Sequence, residues 1–296
     1  MQKYTYEDKC TMYLSDYYTM MYGFIGKHLI EDLGIEGEKA LRKGTREFGY
    51  DRAEVKREKA LKAGLKINMK TLFANFPDLP NDPRFRRELQ ELNEQERVSH
   101  TLRCTMAEAW DRYGHRKVGR IYCEEFHPAC YSHYCFDLTQ VNLPMTLTQD
   151  GNDHCDFNVV LRPENVPDNL KPVCFSEYDP LYVEPEIKDE PISAKDGFGS
   201  LSVKLYYYLF KCAVSICGEA GEAAIVSGLK EYASAAIDAM KEHAKEDALE
   251  YNEQYVHDNF PFDMDTVHDT HWTGYADNNS RKVLQKNLCD LVVVSL

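Results

Sequence analysis

One stretch of the chain occurs twice, and this repeat constrains the fold more than any other feature of the sequence. Residues 34–77 align with residues 218–261 at a constant offset of 184 positions and without a gap. Thirteen positions are identical, where unrelated segments would share only a few: Gly34, Gly37, Glu38, Ala40, Gly44, Glu47, Glu58, Ala60, Leu65, Asn68, Asn75, Phe76 and Pro77. Duplication is the simplest explanation, so we expect both copies to fold alike.

Both copies have apolar residues at three- and four-residue spacing, which predicts helices. The expected helices cover residues 17–32 and 37–50 in the first copy, and 201–216 and 221–229 onward in the second. Gly34 and Gly218 suit a helix end in the left-handed conformation. Gly44 and Gly228 fall inside a helix, where glycine costs about 1 kcal/mol relative to alanine. Tight helix packing is the simpler reason to keep them, and close approach of a ligand is the alternative.

After the first copy the pattern changes from helical to β-rich. We expect one more helix from about Asp82 to Trp110, followed by short segments typical of strands. These segments are Gly119–Cys123, Leu143–Thr148 and His154–Leu161. Turn-forming residues at 150–153 separate the last two, which favours a hairpin and a small antiparallel sheet.

The repeat also predicts the domain organisation. Trp110 projects onto Val294, so the second copy lacks a counterpart of the β segment. We therefore expect an α+β fold: a helical N-terminal unit followed by a small antiparallel β-sheet, plus a C-terminal truncated helical repeat. The expected divisions are a domain over 1–162, a proline-rich linker over 163–199 and a helical half-repeat over 200–296. The half-repeat should cover its apolar face against the first unit or in a homo-oligomer.

Composition argues against several classes of partner. The formal charge of −14 disfavours nucleic acid, and no apolar stretch approaches the roughly 20 residues of a membrane span. The ten cysteines are irregularly spaced and no secretory leader is visible, so we expect thiols rather than disulfides and a cytoplasmic location. The motifs of dinucleotide, nucleoside triphosphate and serine-hydrolase sites are absent from the sequence.

The densest group of reactive side chains lies between residues 122 and 157. A cysteine attacks as a thiolate, so Cys123 or Cys155 would need a neighbouring imidazole such as His127 or His154. A carboxylate such as Glu125 or Asp156 would orient the imidazole or activate water. The alternative is that both cysteines are buried as small apolar residues.

A metal site is a weaker alternative. The side chains that would form it are Cys123, His127, Cys130, His133 and Cys135. Their spacing fits neither paired CxxC motifs nor an HExxH helix, so we expect no cofactor, with zinc or a similar ion as the alternative.

The order of these residues resembles the L-2-amino-thiazoline-4-carboxylic acid hydrolase family. The resemblance covers roughly residues 15–162. It rests on Trp110, Gly119, the Tyr122-Cys123 pair and the hairpin Gly151-Asn152-Asp153-His154-Cys155-Asp156-Phe157. It implies hydrolytic opening of a small thiazoline ring that carries a carboxylate, by cleavage of a carbon–nitrogen bond. The acidic, histidine-bearing segment after Cys123 and the appended half-copy depart from the family pattern.

The leading hypothesis is therefore a hydrolase for a small cyclic substrate. Its catalytic residues would be Cys123, His127 and Glu125, with Cys155 and Asp156 on the opposite wall. Residues expected to bind the substrate are Arg120, Tyr122, His154 and Arg162, where an arginine would hold the carboxylate. The alternatives are a non-catalytic small-molecule-binding or sensory domain with structural cysteines and a metal-dependent hydrolase.

Overall fold

Two long helices dominate the fold, one in each half of the chain. Helix α1 covers Tyr6–Lys62 and helix α6 covers Ala194–Glu246. Both contain one non-helical residue, Gly34 with φ 58° and Gly218 with φ 59°. Because this region of positive φ favours glycine, each long helix changes direction at its glycine.

The protein is described by a computed structural model that covers residues 4–188, 192–275 and 278–296. Its shorter helices are α2 (Met69–Ala74), α3 (Thr105–Arg112), α4 (Arg116–Tyr134), α5 (Lys171–Cys174), α7 (Glu253–Asn259), α8 (Asn278–Leu284) and α9 (Asp290–Val294). Its strands are β1 (Arg86–Leu92), β2 (Glu96–Arg103), β3 (Gln140–Met145) and β4 (Cys155–Val160). A π-helical segment, Gln285–Cys289, joins α8 to α9.

The four strands form one antiparallel sheet in the order β1-β2-β4-β3. Strands β3 and β4 are the arms of the predicted hairpin, and β2 pairs with β4 so that Thr101 lies opposite Cys155 and Ser99 opposite Phe157. The predicted α+β class, helices with a small antiparallel sheet, is therefore confirmed.

Two predicted elements are wrong. The segment expected to be helical from Asp82 to Trp110 contains β1, β2 and the short helix α3. The expected strand Gly119–Cys123 lies inside α4, which runs through Pro128. Helix α4 is favoured because its apolar residues recur every three or four positions and bury one face against α1. The second long helix begins at Ala194, inside the predicted linker, where Ser193 caps it by accepting a hydrogen bond from the Asp196 N–H.

Helices α1 and α6 cross closely at two glycines. A Cβ atom on Gly44 would lie 3.0 Å from the Leu209 Cα, and one on Gly228 would lie 2.8 Å from the Ile25 Cα. Leu209 follows Ile25 by the same 184 positions that separate the two glycines. Each glycine therefore permits backbone contact with the other long helix, which accounts for glycine inside a helix by packing rather than by a ligand.

Among the described residues, no helix combines the length and the apolar character that crossing a bilayer requires.

Candidate active site between helix α4 and the sheet

Helix α4 separates α1 from the sheet. On the side facing α1, Tyr122 is buried, with its hydroxyl oxygen 3.0 Å from that of Tyr18. On the side facing the sheet lie Cys123, His127 and Tyr131, each four positions after the one before. Since residues four apart share a helix face, these three side chains form a stripe along α4.

The face of the sheet that meets this stripe is unusually polar. In β2 the buried residues are Arg97, Ser99 and Thr101, whereas Val98 and Leu102 on the opposite face are partly exposed. In β4 the buried residues are Cys155, Phe157 and Val159. We call the following set the α4–sheet layer: Cys123, His127 and Tyr131 of α4, Arg97, Ser99 and Thr101 of β2, and Cys155 and Phe157 of β4.

Contacts within the α4–sheet layer bring three predicted residues to one side of the sheet. The His127 and Phe157 rings lie 5.0 Å apart between centroids, and His127 Nδ1 lies 3.1 Å from the Tyr131 hydroxyl oxygen. The Thr148 hydroxyl donates to Cys123 Sγ at 3.6 Å, and the Leu147 N–H donates to Cys155 Sγ at 3.2 Å. Three of the residues predicted for the site, Cys123, His127 and Cys155, therefore lie together in the α4–sheet layer.

The two thiols of the layer are not activated in the free protein. Burial raises the pKa of the Cys123 thiol well above its usual range, and the neighbouring Cys104 contributes in the same direction. Burial also raises the pKa of Cys155. Both thiols are therefore protonated at neutral pH, since burial outweighs the lowering effects of the Leu147 N–H and Arg87 on the pKa of Cys155.

His127 is uncharged at neutral pH. Desolvation by the surrounding protein, followed by the charges of Arg87, Arg97 and Arg52, lowers the pKa of His127 to about 3. The side chain is nevertheless partly exposed. A neutral imidazole has one nitrogen free to accept a proton, which is what a general base requires.

The structure does not bring Glu125 to His127. Glu125 accepts hydrogen bonds from Arg42 at 2.8 Å and from Arg46 at 2.5 Å, both on α1. Two positions apart on one helix, Glu125 and His127 point to different sides. Glu125 therefore joins α4 to α1 and is not positioned to orient the imidazole.

Asp156 and His154 lie on the other face of the sheet. Asp156 Oδ1 is 3.6 Å from His100 Nε2, and the rings of His100 and His154 are 5.0 Å apart. Successive residues of a strand point to opposite faces, so Asp156 cannot face α4 while Cys155 does. These two predicted residues belong to a separate, partly exposed polar cluster.

The remaining predicted residues do not line the layer. Arg120 is exposed and donates to Glu124 at 2.7 Å, and Arg162 is exposed after β4. Tyr122 packs in the core against Tyr22 and Trp110.

Sequence reasoning missed Arg97, the buried cation of the layer. The segment Glu96–Arg103 was expected to be helical, so its side chains were not considered together. The available signal was its alternation, with Arg97, Ser99 and Thr101 at every second position and Val98 and Leu102 between them. Alternation of this kind favours a strand, here with the polar set turned inward.

No group of three or more His, Cys, Asp or Glu residues in the described ranges is arranged to hold a metal ion. A cleft of about 550 Å³ lies elsewhere, between α1, α6 and the start of α4, and its walls include Lys27, His115 and Glu231. None of the predicted site residues lines that cleft.

In the first half of the chain, a helix thus covers a polar sheet face that carries thiols, an imidazole and a guanidinium. Residues 16–159 match the family model for L-2-amino-thiazoline-4-carboxylic acid hydrolase. The match confirms the predicted resemblance of this part of the chain to that family. The family name suggests hydrolase activity on a thiazoline carboxylate. Neither a curated protein nor a solved structure matches the chain.

Proposed function

We propose that the chain is a hydrolase that opens a small cyclic carboxylate, of the amino-thiazoline kind, in the α4–sheet layer. The observation that carries this proposal is His127, a neutral and partly exposed imidazole that faces the sheet inside the segment matched by the family. Its neighbours Tyr131 and Phe157 offer ring surfaces on which a small flat ring could pack.

The proposed reaction adds one water molecule to the ring carbon that lies between sulfur and nitrogen. The water oxygen bonds to this carbon and the ring carbon–nitrogen bond breaks. His127 accepts a proton from the water and returns one to the departing nitrogen, so that atoms and charge balance. This is general acid–base catalysis by a single imidazole.

In the proposed reaction the nucleophile is water rather than the Cys123 thiol. A thiol whose pKa is raised by burial holds its proton at neutral pH, so Cys123 is not available as a thiolate nucleophile. Cys123, buried one helical turn before His127, forms the closed end of the layer. A covalent route through Cys123 would show itself as loss of turnover in Cys123→Ala together with a mass adduct on the native chain.

The role of His127 is tested by replacing it. His127→Gln should lower kcat by roughly 100-fold or more, because a general base typically contributes at least that factor. His133→Gln is the matched control, since His133 lies on the same helix and its Nδ1 is 3.1 Å from Asp137 Oδ1. The measurement is the steady-state rate with L-2-amino-thiazoline-4-carboxylate, with circular dichroism to verify folding. Equal rates in both variants would remove His127 from the mechanism.

The bond that breaks is tested by the product. Cleavage of the ring carbon–nitrogen bond yields a free amine and leaves sulfur bonded to carbon, whereas cleavage of the carbon–sulfur bond yields a free thiol. We expect a new amine and no rise in small-molecule thiol when the reaction is followed with an amine reagent and a thiol reagent. A stoichiometric rise in thiol would show that the other bond breaks.

A second candidate function, a non-catalytic binding domain with structural cysteines, is favoured by the thiols. The pKa of each of the ten cysteines is raised, in every case with burial as the largest cause. Binding of the thiazoline carboxylate without any product would support this function. A metal-dependent hydrolase is the third candidate, and elemental analysis of active protein separates it from the first.

A further inference from the structure

We propose that the guanidinium of Arg97 is the receptor for the carboxylate of the substrate. The inference rests on the proposed function, because it places that carboxylate in the same layer as His127. It adds a binding residue on β2 that neither the family match nor the sequence motifs identify.

Arg97 is a buried charge that is not paired with a carboxylate among the described residues. Its side chain is 3% exposed, and no described residue forms a salt bridge or a side-chain hydrogen bond with it. A buried charge is costly unless it is paired. Arg84, the other buried arginine of the described ranges, shows the usual arrangement, since it binds both Asp16 and Asp82 at 2.7 Å. The contrast indicates that no described residue supplies the partner of Arg97, and we assign that role to a bound anion.

The two arginines also differ in how their charge is supported. Desolvation lowers the pKa of Arg97 to about 10, while the hydrogen bonds that Arg84 donates to Asp82 and Asp16 raise the pKa of Arg84 against its desolvation. Apart from an opposing effect of Tyr131, no described group offsets the desolvation of Arg97, and no described carboxylate lies within salt-bridge distance of it. A bound carboxylate would supply the compensating negative charge, in the bidentate geometry that a guanidinium favours.

Aromatic rings surround this guanidinium. The Arg97 Cζ lies 4.2 Å from the Phe73 ring centroid and 5.5 Å from that of Phe157. The Phe73 and Tyr131 rings, 4.9 Å apart between centroids, are both partly exposed. This edge, between α2 and α4, is therefore the side from which an anion would approach Arg97, and a small ring would rest against the aromatic surface.

Two further groups favour an anion at this position. The Ser99 hydroxyl, two positions after Arg97 on the same strand face, is fully buried and has no hydrogen-bond partner in the described ranges. Arg87 on β1 donates to Thr101 at 3.4 Å and has no described carboxylate within salt-bridge distance. Ser99 can donate a hydrogen bond to the anion, and Arg87 adds positive charge beside it.

The spacing along α4 connects the anion with the chemistry. Tyr131, His127 and Cys123 follow one another at intervals of about 6 Å, four residues at the rise of an α-helix. Arg97 lies at the Tyr131 end, near Phe73. A five-membered ring whose carboxylate binds Arg97 would thus extend toward His127.

An anion on Arg97 would also alter His127. The charged or titratable groups that face His127 are Arg97 and Arg87 from the sheet, Arg52 from α1 and Tyr131 on α4. After desolvation, the three guanidinium charges lower the pKa of His127. Because a carboxylate would offset part of this positive charge, substrate binding should raise the pKa of His127 and make it a better base.

The test uses two probes that differ only in the carboxylate. L-Thiazolidine-4-carboxylate keeps the ring and the acid but lacks the carbon–nitrogen double bond, and thiazolidine lacks the acid. By calorimetry, Arg97→Gln should bind the carboxylate probe roughly 10- to 100-fold more weakly than the native chain, the usual loss for a hydrogen bond to a charged group. Binding of thiazolidine should not change. Arg86→Gln, an exposed arginine on the same strand as Arg87, is the matched control.

Arg97→Lys keeps the positive charge but loses the bidentate geometry of the guanidinium, so it should bind the carboxylate probe at intermediate strength. This variant also provides the test if Arg97→Gln fails to fold. In NMR titrations, the carboxylate probe should raise the His127 pKa in the native chain and thiazolidine should not. Native-like affinity in both Arg97 variants, or loss of affinity in Arg162→Gln alone, would overturn the proposal.

The outcomes also separate this inference from the proposed function. Arg97-dependent binding with no hydrolysis of L-2-amino-thiazoline-4-carboxylate by the native chain would contradict the proposed hydrolase function and support the carboxylate-binding role of Arg97. Hydrolysis with an unchanged KM in Arg97→Gln would support the hydrolase function and contradict the carboxylate-binding role of Arg97.

Discussion

Burial keeps histidine side chains such as His115 uncharged in the folded protein. Because the unfolded chain can protonate them more easily, the free energy of unfolding should fall at acidic pH. His115, at the start of α4, is 5% exposed and its Nδ1 has no hydrogen-bond partner in the described ranges. Burial, then Lys27, lowers the pKa of His115 to about 4, against an opposing effect of Glu231. In the unfolded chain the same group titrates near its ordinary value of about 6.5.

Between these two values the unfolded state binds the proton and the folded state does not. The contribution of His115 to stability is therefore complete above about pH 6.5 and is lost as the pH falls toward 4, by up to about 3 kcal/mol. His115→Asn, which cannot titrate, should lose less stability than the native chain between pH 7 and pH 4.5. Urea unfolding of both proteins at several pH values measures this difference. Parallel pH profiles would show that His115 is not the group responsible.

The residues of the candidate site were predictable to different degrees. Cys123, His127 and Cys155 could be identified because reactive side chains are dense between residues 122 and 157, and the structure places them in one layer. Glu125 was misplaced because the expected strand at Cys123 hid the helical spacing. Asp156 lies in a strand that was predicted, and alternation along that strand already places it on the face opposite Cys155. Arg97 is distant in sequence from the cluster and meets it only through the pairing of β2 with β4.

At the scale of elements, the two long helices share a bend and a crossing. Gly34 and Gly218 have nearly the same φ and ψ, and Asn68 and Asn252 cap α2 and α7 by accepting a hydrogen bond from the third N–H of each helix. We propose that α1–α2 and α6–α7 arose by the duplication inferred from the sequence, and these matching features support it.

The crossing predicts an unusual response to alanine. Gly228→Ala would place a Cβ 2.8 Å from the Ile25 Cα, and Gly44→Ala would place one 3.0 Å from the Leu209 Cα. Each should destabilise the fold by about 1–3 kcal/mol, the cost of overpacking, although alanine ordinarily favours a helix. Lys230→Ala, at an exposed position of α6, should be nearly neutral. Thermal unfolding measures all three, and stabilisation by either glycine replacement would contradict the crossing.

Helices were easier to predict than strands in this chain. The long helices could be predicted because apolar spacing and helix-ending glycines are local signals, and the β3–β4 hairpin could be predicted because its turn residues are local too. Strands β1 and β2 were harder to predict because their polar residues also fit a solvated helix, and the alternation in β2 was the local signal that favoured a strand. Their conformation depends on non-local pairing with β4.

At the scale of the whole molecule, both halves contribute to one hydrophobic core. Buried residues of α1 such as Tyr17 and Ile25 pack in the same cluster as Tyr232 and Phe260 of the second half. The matched segment 16–159 therefore has its long helix α1 covered by α6 on one side and by α4 on the other. Helix α1 therefore packs on the side of α4 that faces away from the sheet, and this packing holds α4 against the sheet.

The most direct test of the account is a crystal structure of the chain with L-thiazolidine-4-carboxylate. We expect the ring between α4 and β2, with its carboxylate within hydrogen-bond distance of the Arg97 guanidinium and its ring beside His127. A ligand bound instead in the cleft lined by Lys27 and His115, or on the outer sheet face at His100 and Asp156, would contradict the assignment of the site.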